Sequence, residues 1–321
     1  MRLVTLGFAA TLVAGIGSAF FLYFHQAPVP SPRPVSAVSV QAGCAAVPHV
    51  CGFPDGTTTG VPSGMTLKAV PGQVSSGPGW HSAPDGSVKV TGNGAVLSGL
   101  SIHDNLDITA SHVTIKNVQV TTSGFFAISL RHTVGVIIEN SSISGTNAAA
   151  GRVSVAIDDV YGDSTGMVIA ANNIWYARTG VQVSTGLVAS NYLHSFGYIA
   201  GDHTNGVFDA GSTQPLMIYH NTILNNYGQT DAVSLNATGA GQPVANKSVE
   251  GNLLAGGSYA IYGGSSHNNP ISNIIIEDNT FSQVYYPKSG QYGAIAYFGQ
   301  GKGNGWSGNI WDLTGQIISL P

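Results

Sequence analysis

Charge is what this chain has least of: 8% of its 321 residues are Asp, Glu, Lys or Arg, where a soluble domain ordinarily carries about a quarter. Eleven basic residues against fifteen acidic ones leave a formal net charge of −4. The basic field that a phosphate backbone demands is missing, and no nucleic-acid partner is expected. Cysteine is nearly absent, with only Cys44 and Cys51. Beyond residue 26 no long stretch combines helix formers with a 3.6-residue apolar period, which excludes helical repeats. What fills the space is 43 glycines among Val, Ile, Ala, Ser, Thr and Asn, a mixture suited to many short strands closed by tight turns.

The chain opens on an apolar run, Leu3–Phe24, behind Arg2. It is long enough to span a bilayer, for which about 20 residues suffice, and longer than the core of a typical cleaved signal peptide. Residues 1–26 are therefore expected to be a signal peptide or an uncleaved signal anchor. An anchor would give a membrane tether through residues 3–24, and either segment exports the body to the extracellular side. Residues 27–43, with Pro28, Pro30, Pro32 and Pro34, read as an extended stalk. In an oxidising compartment Cys44 and Cys51, on either side of Pro48, are expected to form one disulfide ahead of the first coil.

Self-similarity dominates the remainder, residues 44–321. An aliphatic residue followed closely by Asn recurs at Ile115–Asn117, Ile138–Asn140, Ile169–Asn172, Val188–Asn191, Ile218–Asn221, Val249–Asn252, Ile276–Asn279 and, with Trp in the aliphatic place, Trp306–Asn309. A second phrase, two apolar residues two apart, places Val155, Val181, Val207 and Val233 at a constant spacing of 26 positions. Such a period predicts an all-β chain, a right-handed parallel β-helix solenoid with rungs of about 26 residues stacked about 4.8 Å apart. Each Asn is expected to occupy a turn, tolerate left-handed backbone and hydrogen-bond the next rung. The segment Phe53–Gly64 is expected to be the N-terminal cap over an otherwise unpaired edge.

The runs Cys51–Gly64, Gly201–Gly206, Gln229–Ala232, Leu253–Tyr262 and Trp306–Gly315 resemble a family of actinobacterial secreted β-helix proteins. The likeness extends over nearly everything after the stalk. More broadly it points to the pectin-lyase-like superfamily, which holds polysaccharide lyases, glycoside hydrolases and inert or adhesive members. The resemblance thus implies the fold and an extracellular polysaccharide as partner, and it implies no single reaction.

With the four spaced valines taken as inward, strand alternation places Arg152, Arg178, Thr204 and Thr230 outside, and likewise Ala156, Gln182, Phe208 and Ser234. Asp158, Asp159 and Asp163 follow the strand, and Asp202, His203 and Asp231 precede it on later rungs. The expected catalytic set is Arg152, Arg178, Asp158, Asp159, Asp202, His203 and Asp231, with Gln182, Thr204, Phe208 and Ser234 as substrate contacts. Stacked arginines would neutralise a uronate carboxylate. His203 or a deprotonated neighbour would then remove the acidified proton, the chemistry of β-elimination. Hydrolysis would instead use paired carboxylates such as Asp158 and Asp159. The polygalacturonase motifs Asn-Thr-Asp, Gly-His-Gly and Arg-Ile-Lys are missing, however, as is the pectate-lyase Arg-x-Pro-x-x-Arg. Lyase-type cleavage is favoured, with a non-catalytic glycan-binding or envelope-structural role as the alternative.

No cofactor is expected, except that Asp158, Asp159 and Asp163 could together hold Ca²⁺; turn capping is the other reading of that set. His103, His112, His132, His194 and His220 show no metal-ligand spacing. The late aromatics Tyr285, Tyr286, Tyr292, Tyr297, Phe298, Trp306 and Trp311 either stack on sugars or fill the last coils.

Overall fold

The computed structural model describes residues 43–236, 239–299 and 301–320. The apolar run 3–24 and the Pro-rich stretch lie outside the described residues. The described chain winds into a parallel β-helix, and its short strands stack into three sheets of ten, eleven and nine strands. The cause is local. In Ile137-Ile138-Glu139 only the central residue is buried, so the strand offers one apolar knob to the interior and needs like neighbours above and below. It finds Ile115 and Ile169, and the third sheet continues the column through Val188, Ile218, Val249, Ile276 and Trp306. The first sheet builds a facing column from Val120, Ile143, Ile174, Leu193, Ile223, Leu254 and Phe281.

Between these two sheets the chain turns through left-handed backbone at Asn117, Asn140, Ala171, Ser190, His220, Gly251, Asp278 and Gly308. The residue after each turn forms a ladder. Asn172, Asn191, Asn221, Asn252, Asn279 and Asn309 are fully buried, and each of the first five side-chain amides donates to the next Oδ1 at 2.9–3.0 Å. The expected bond between rungs is thus present from Asn172 onward. Asn117 and Asn140 sit one place earlier, in the left-handed position itself, and Val118 and Ser141 take the ladder column.

The 26-residue register holds for Val181, Val207 and Val233, which pair in succession. It fails at Val155. Ile157 stands over Val181, and Val155 pairs with Thr179. The turn through Asn147–Gly151 lengthens one rung and the next is correspondingly short, so a constant spacing in sequence hides a two-residue offset in space. Val155 is buried but lies outside the apolar core, which corrects its assignment as an inward residue. Two places after Val207, the inward position holds Asp209. Lys247 answers it: its Nζ lies 3.0 Å from Asp209 Oδ2 with both side chains fully buried. It also donates to Ser184 O, Ser212 Oγ and Gln214 O.

The segment Phe53–Gly64 does not sit over the first rung. The chain from Cys44 to Val61 runs lengthwise across the first sheet, from the last coil toward the first. Cys44 N donates to Asp312 Oδ1 (2.8 Å), His220 Nε2 to Gly52 O (2.8 Å), Gly60 N to Ala171 O (2.9 Å) and Val61 N to Ser142 Oγ (3.0 Å). Gly60 is required there, because at φ +81° a Cβ would lie 2.8 Å from Asn173 Cβ. Cys44 and Cys51 form the expected disulfide at the upper end of this strap, with Cα atoms 5.7 Å apart. The first rung is covered instead by antiparallel strands, Ser76–Gly77 and Trp80–Ser82, laid on Val88–Val90. At the other end Trp306 Nε1 donates to Ile318 O (2.7 Å) and closes the last coil.

Candidate functional site

The second sheet is bent along a column of small residues: Ala127, Ala156, Gly180, Gly206, Ala232, Ala260 and Ala294. This column faces inward. A Cβ at Gly180 would lie 2.5 Å from Leu193 Cδ2, and one at Gly206 2.3 Å from Ile223 Cγ2. The column after it, Ile128, Ile157, Val181, Val207, Val233 and Ile261, is also core. Two successive inward residues leave an outward column on either side. One runs Phe126, Val155, Thr179, Asn205, Asp231 and Tyr259. The other runs Asp107, Ser129, Asp158, Gln182, Phe208, Ser234 and Tyr262.

The middle of these columns is a furrow with a polar floor. Asp158, Thr179, Asn205, Asp231 and Ser234 are all buried, yet Asp158 Oδ1, Asn205 Oδ1, Ser234 Oγ and both carboxyl oxygens of Asp231 have no hydrogen-bond partner among the described residues. A buried polar atom left this way costs about 1–3 kcal/mol, so the cluster is a sizeable internal expense. Gln182, Phe208, Tyr259 and Tyr262 remain partly exposed along it.

Burial pushes the Asp158 carboxyl up to about 7, with the Asp159 charge adding to the rise and Arg131 and Arg178 opposing it. Burial likewise drives Asp231 well above the carboxylate range, and the Ser234 hydroxyl offsets only part of this. Arg178 stands beside Thr179, half-buried, and its Nε is unpartnered. Desolvation lowers its pKa while the charges of Asp202 and Asp158 support it.

The other expected residues are placed differently. Arg152 is not stacked on Arg178, since Val153 pairs with Ala177. Its guanidinium forks onto Asp202 through Nε to Oδ2 and Nη2 to Oδ1 (2.6 Å), with little of either side chain exposed. Asp202 also accepts from Ile199 N at 2.9 Å. Burial raises its pKa, but the bonds from Arg152 and Ile199 more than reverse that. This pair fastens the loop at 195–204 to the preceding coil and is structural.

Thr204 is fully buried, not an outer contact, and its hydroxyl donates to Gln229 O (2.7 Å). Asp159 turns away from Asp158 and accepts from Ser164 N (3.1 Å). Asp163 pairs with His132 (2.6 Å). The three aspartates therefore do not converge as a Ca²⁺ site, and among the described residues no three His, Cys, Asp or Glu stand together as metal ligands. His203 is exposed at the loop's end, its carbonyl taken by Asn205 Nδ2 (3.1 Å).

Sequence reasoning missed Thr179, Asn205, Tyr259 and Tyr262. The seven aligned Ala or Gly positions carry the signal that would have found them, because they mark where alternation breaks. The late aromatics divide into two groups. Phe298, Trp306 and Trp311 pack against the core, whereas Tyr285, Tyr292 and Tyr297 are exposed and Tyr286 is partly so.

No protein-family model and no curated protein matches the chain. Among solved structures the Dettilon tailspike protein (gp208) is similar, with a TM-score of 0.49 and 14% identity. The alignment covers 68% of this chain and 46% of the tailspike, so the chain spans about half the length of that protein.

Proposed function

We propose that this is an exported protein that binds an acidic polysaccharide in the furrow of the second sheet and cleaves it by β-elimination. The observation that carries the reading is the set of buried polar groups on the outward columns that are unpartnered among the described residues, Asp158, Asn205, Asp231 and Ser234, with the half-buried Arg178 beside Thr179. Native proteins rarely leave such groups unpaired without a functional reason, and a hydroxyl-rich ligand would supply the missing donors and acceptors.

Elimination suits the two charged members. Arg178, which forms no ion pair among the described residues, would neutralise the uronate carboxylate and acidify the neighbouring C–H. Asp158, with its pKa near 7, is matched to removing that proton at neutral pH. The electron pair then forms the ring double bond as the bond to the leaving oxygen, one carbon further, breaks. Asp158 returns its proton to that oxygen, so no co-reactant is needed.

Hydrolysis would need a second available carboxyl about 5–9.5 Å from Asp158, and the unpartnered Asp231 stands three rungs, about 14 Å, further along the sheet. Asp107, two rungs away in the same column, is occupied by Arg131 Nε (2.7 Å), Ser129 Oγ (2.8 Å) and Lys89 Nζ (3.2 Å). Asp202 and Asp159 are tied as described above.

The test is incubation of the purified protein with polygalacturonate, alginate, hyaluronan and xylan, following ultraviolet absorbance of unsaturated ends. Elimination predicts absorbance from a uronate polymer and its loss in Asp158→Asn. New reducing ends without absorbance would replace elimination by hydrolysis. Binding without either product would leave a glycan-binding protein.

A further inference from the structure

We infer that Tyr259, Tyr262, Tyr292 and Tyr297 form an aromatic platform that continues the furrow, so that the polysaccharide lies along the solenoid axis and is gripped at internal sugar units. This inference rests on the reading of the furrow as a glycan site. The platform is continuous with that floor. Tyr262 pairs directly with Ser234, and Tyr259 extends the column of Asn205 and Asp231. The four rings touch in sequence, Tyr292 to Tyr259 at 5.9 Å, Tyr259 to Tyr262 at 5.9 Å, and Tyr262 to Tyr297 at 5.4 Å between centroids.

Burial does not account for the outer pair, since Tyr292 is 59% and Tyr297 52% exposed. Nor do the next residues cover the platform. Tyr259 pairs with Gly293 and Tyr262 with Ala296, and even a Cβ at Gly293 would come within 3.3 Å of the Tyr259 ring. Small residues thus keep these ring faces clear at the rung where the sheet ends.

Rings of this kind, flat, uncharged and tipped with a hydroxyl, suit a pyranose that presents a C–H face and equatorial hydroxyls. From Asp158 to Tyr262 the same column climbs through Gln182, Phe208 and Ser234. At about 4.8 Å per rung that is about 19 Å, room for several sugar units, most of them on the Tyr262 side of Arg178, which stands one rung above Asp158 and three below Tyr262. The ligand class is therefore an unbranched acidic polysaccharide engaged away from its ends.

The experiment is affinity gel electrophoresis of the full protein through polygalacturonate, alginate, hyaluronan and xylan. The variants are Tyr292→Ala/Tyr297→Ala and, separately, Asp231→Ala and Arg178→Ala. The double tyrosine variant should melt as wild type does and bind the retarding polymer at least ~10-fold more weakly, as loss of exposed aromatic anchors does elsewhere. The same polymer should shield Tyr292 and Tyr297 from nitration, mapped by mass spectrometry. If the double variant is retarded like wild type while Asp231→Ala and Arg178→Ala are not retarded, the platform is refuted and the furrow stands. If wild type passes all four gels unretarded, the furrow and the platform fall together.

Discussion

Two rows of buried polar side chains run along this solenoid, and the fold treats them in opposite ways. In the turn between the third and first sheets, Asn172 to Asn309 pair rung to rung, and the backbone N of each donor Asn bonds the same Oδ1 as its side chain does, as Asn191 N does to Asn221 (2.9 Å). On the outward face of the second sheet, Asp158, Asn205, Asp231 and Ser234 are also buried, yet Asp158 Oδ1, Asn205 Oδ1, Ser234 Oγ and both Asp231 carboxyl oxygens have no partner among the described residues. Burial with opposite satisfaction separates the residues that hold the coil together from those held ready for something else. The first row lowers the free energy of folding and the second raises it.

The largest effect that tests this contrast belongs to the ladder. Asn221→Leu would strand Asn191 N and Nδ2 and Val188 O, while Asn252 Oδ1 would lose one of its donors and keep the backbone N of residue 221. With several buried groups orphaned at once, the loss should reach about 4 kcal/mol. Asp231→Asn, at a similar depth, should cost less than about 1 kcal/mol or stabilise, because no bond is broken. Equal losses in denaturant titrations of the two variants would erase the distinction.

The ladder was legible in sequence and the furrow was not, for one physical reason. An aliphatic residue followed by Asn recurs because each copy solves the same turn problem, and the inward columns of the first and third sheets follow strict alternation. In the second sheet the Ala and Gly column places two inward residues side by side, so parity counted from Val155 assigns the wrong face. The longer rung through Asn147–Gly151 added the offset that made Arg152 and Arg178 look equivalent. Gln182, Phe208 and Ser234 nevertheless fall on the outward side that parity assigned them, because they follow the second of the two inward residues. Thr204 and Asp202 were misjudged because their partners, Gln229 and Arg152, come from loops that no repeat describes.

A second test uses pH. The folded-state pKa of Asp158 is raised to about 7 from an ordinary 3.8, so the folded protein holds this proton more tightly than the unfolded chain. Its stabilising contribution is complete below about pH 4 and is lost as pH rises to about 7. Over that window wild type should lose on the order of 3 kcal/mol relative to Asp158→Asn. Superimposable profiles of melting temperature against pH would mean that Asp158 is solvated and ordinary. Asp159, Asp209 and Asp231 shift in the same direction, so the difference between the two profiles, not either profile alone, is the measurement.

The smallest effect comes from the two arginines, whose difference is the closest test of the contrast. Arg152→Ala removes both bonds from the buried Asp202 carboxylate and frees the loop at 195–204. It should cost about 2 kcal/mol and open that loop to proteolysis. Arg178 has the same charge a short distance away, but its Nε has no partner and it forms no ion pair among the described residues. Arg178→Ala should therefore change stability by less than about 0.5 kcal/mol, while abolishing cleavage of whichever uronate polymer the protein accepts. If Arg178→Ala destabilises as much as Arg152→Ala, then Asp158 is its structural partner and the furrow loses its free cation. A stable Arg178→Ala variant that still cleaves would move the chemistry elsewhere on the sheet. Stability retained and turnover lost is the combination that a ligand-directed arginine requires.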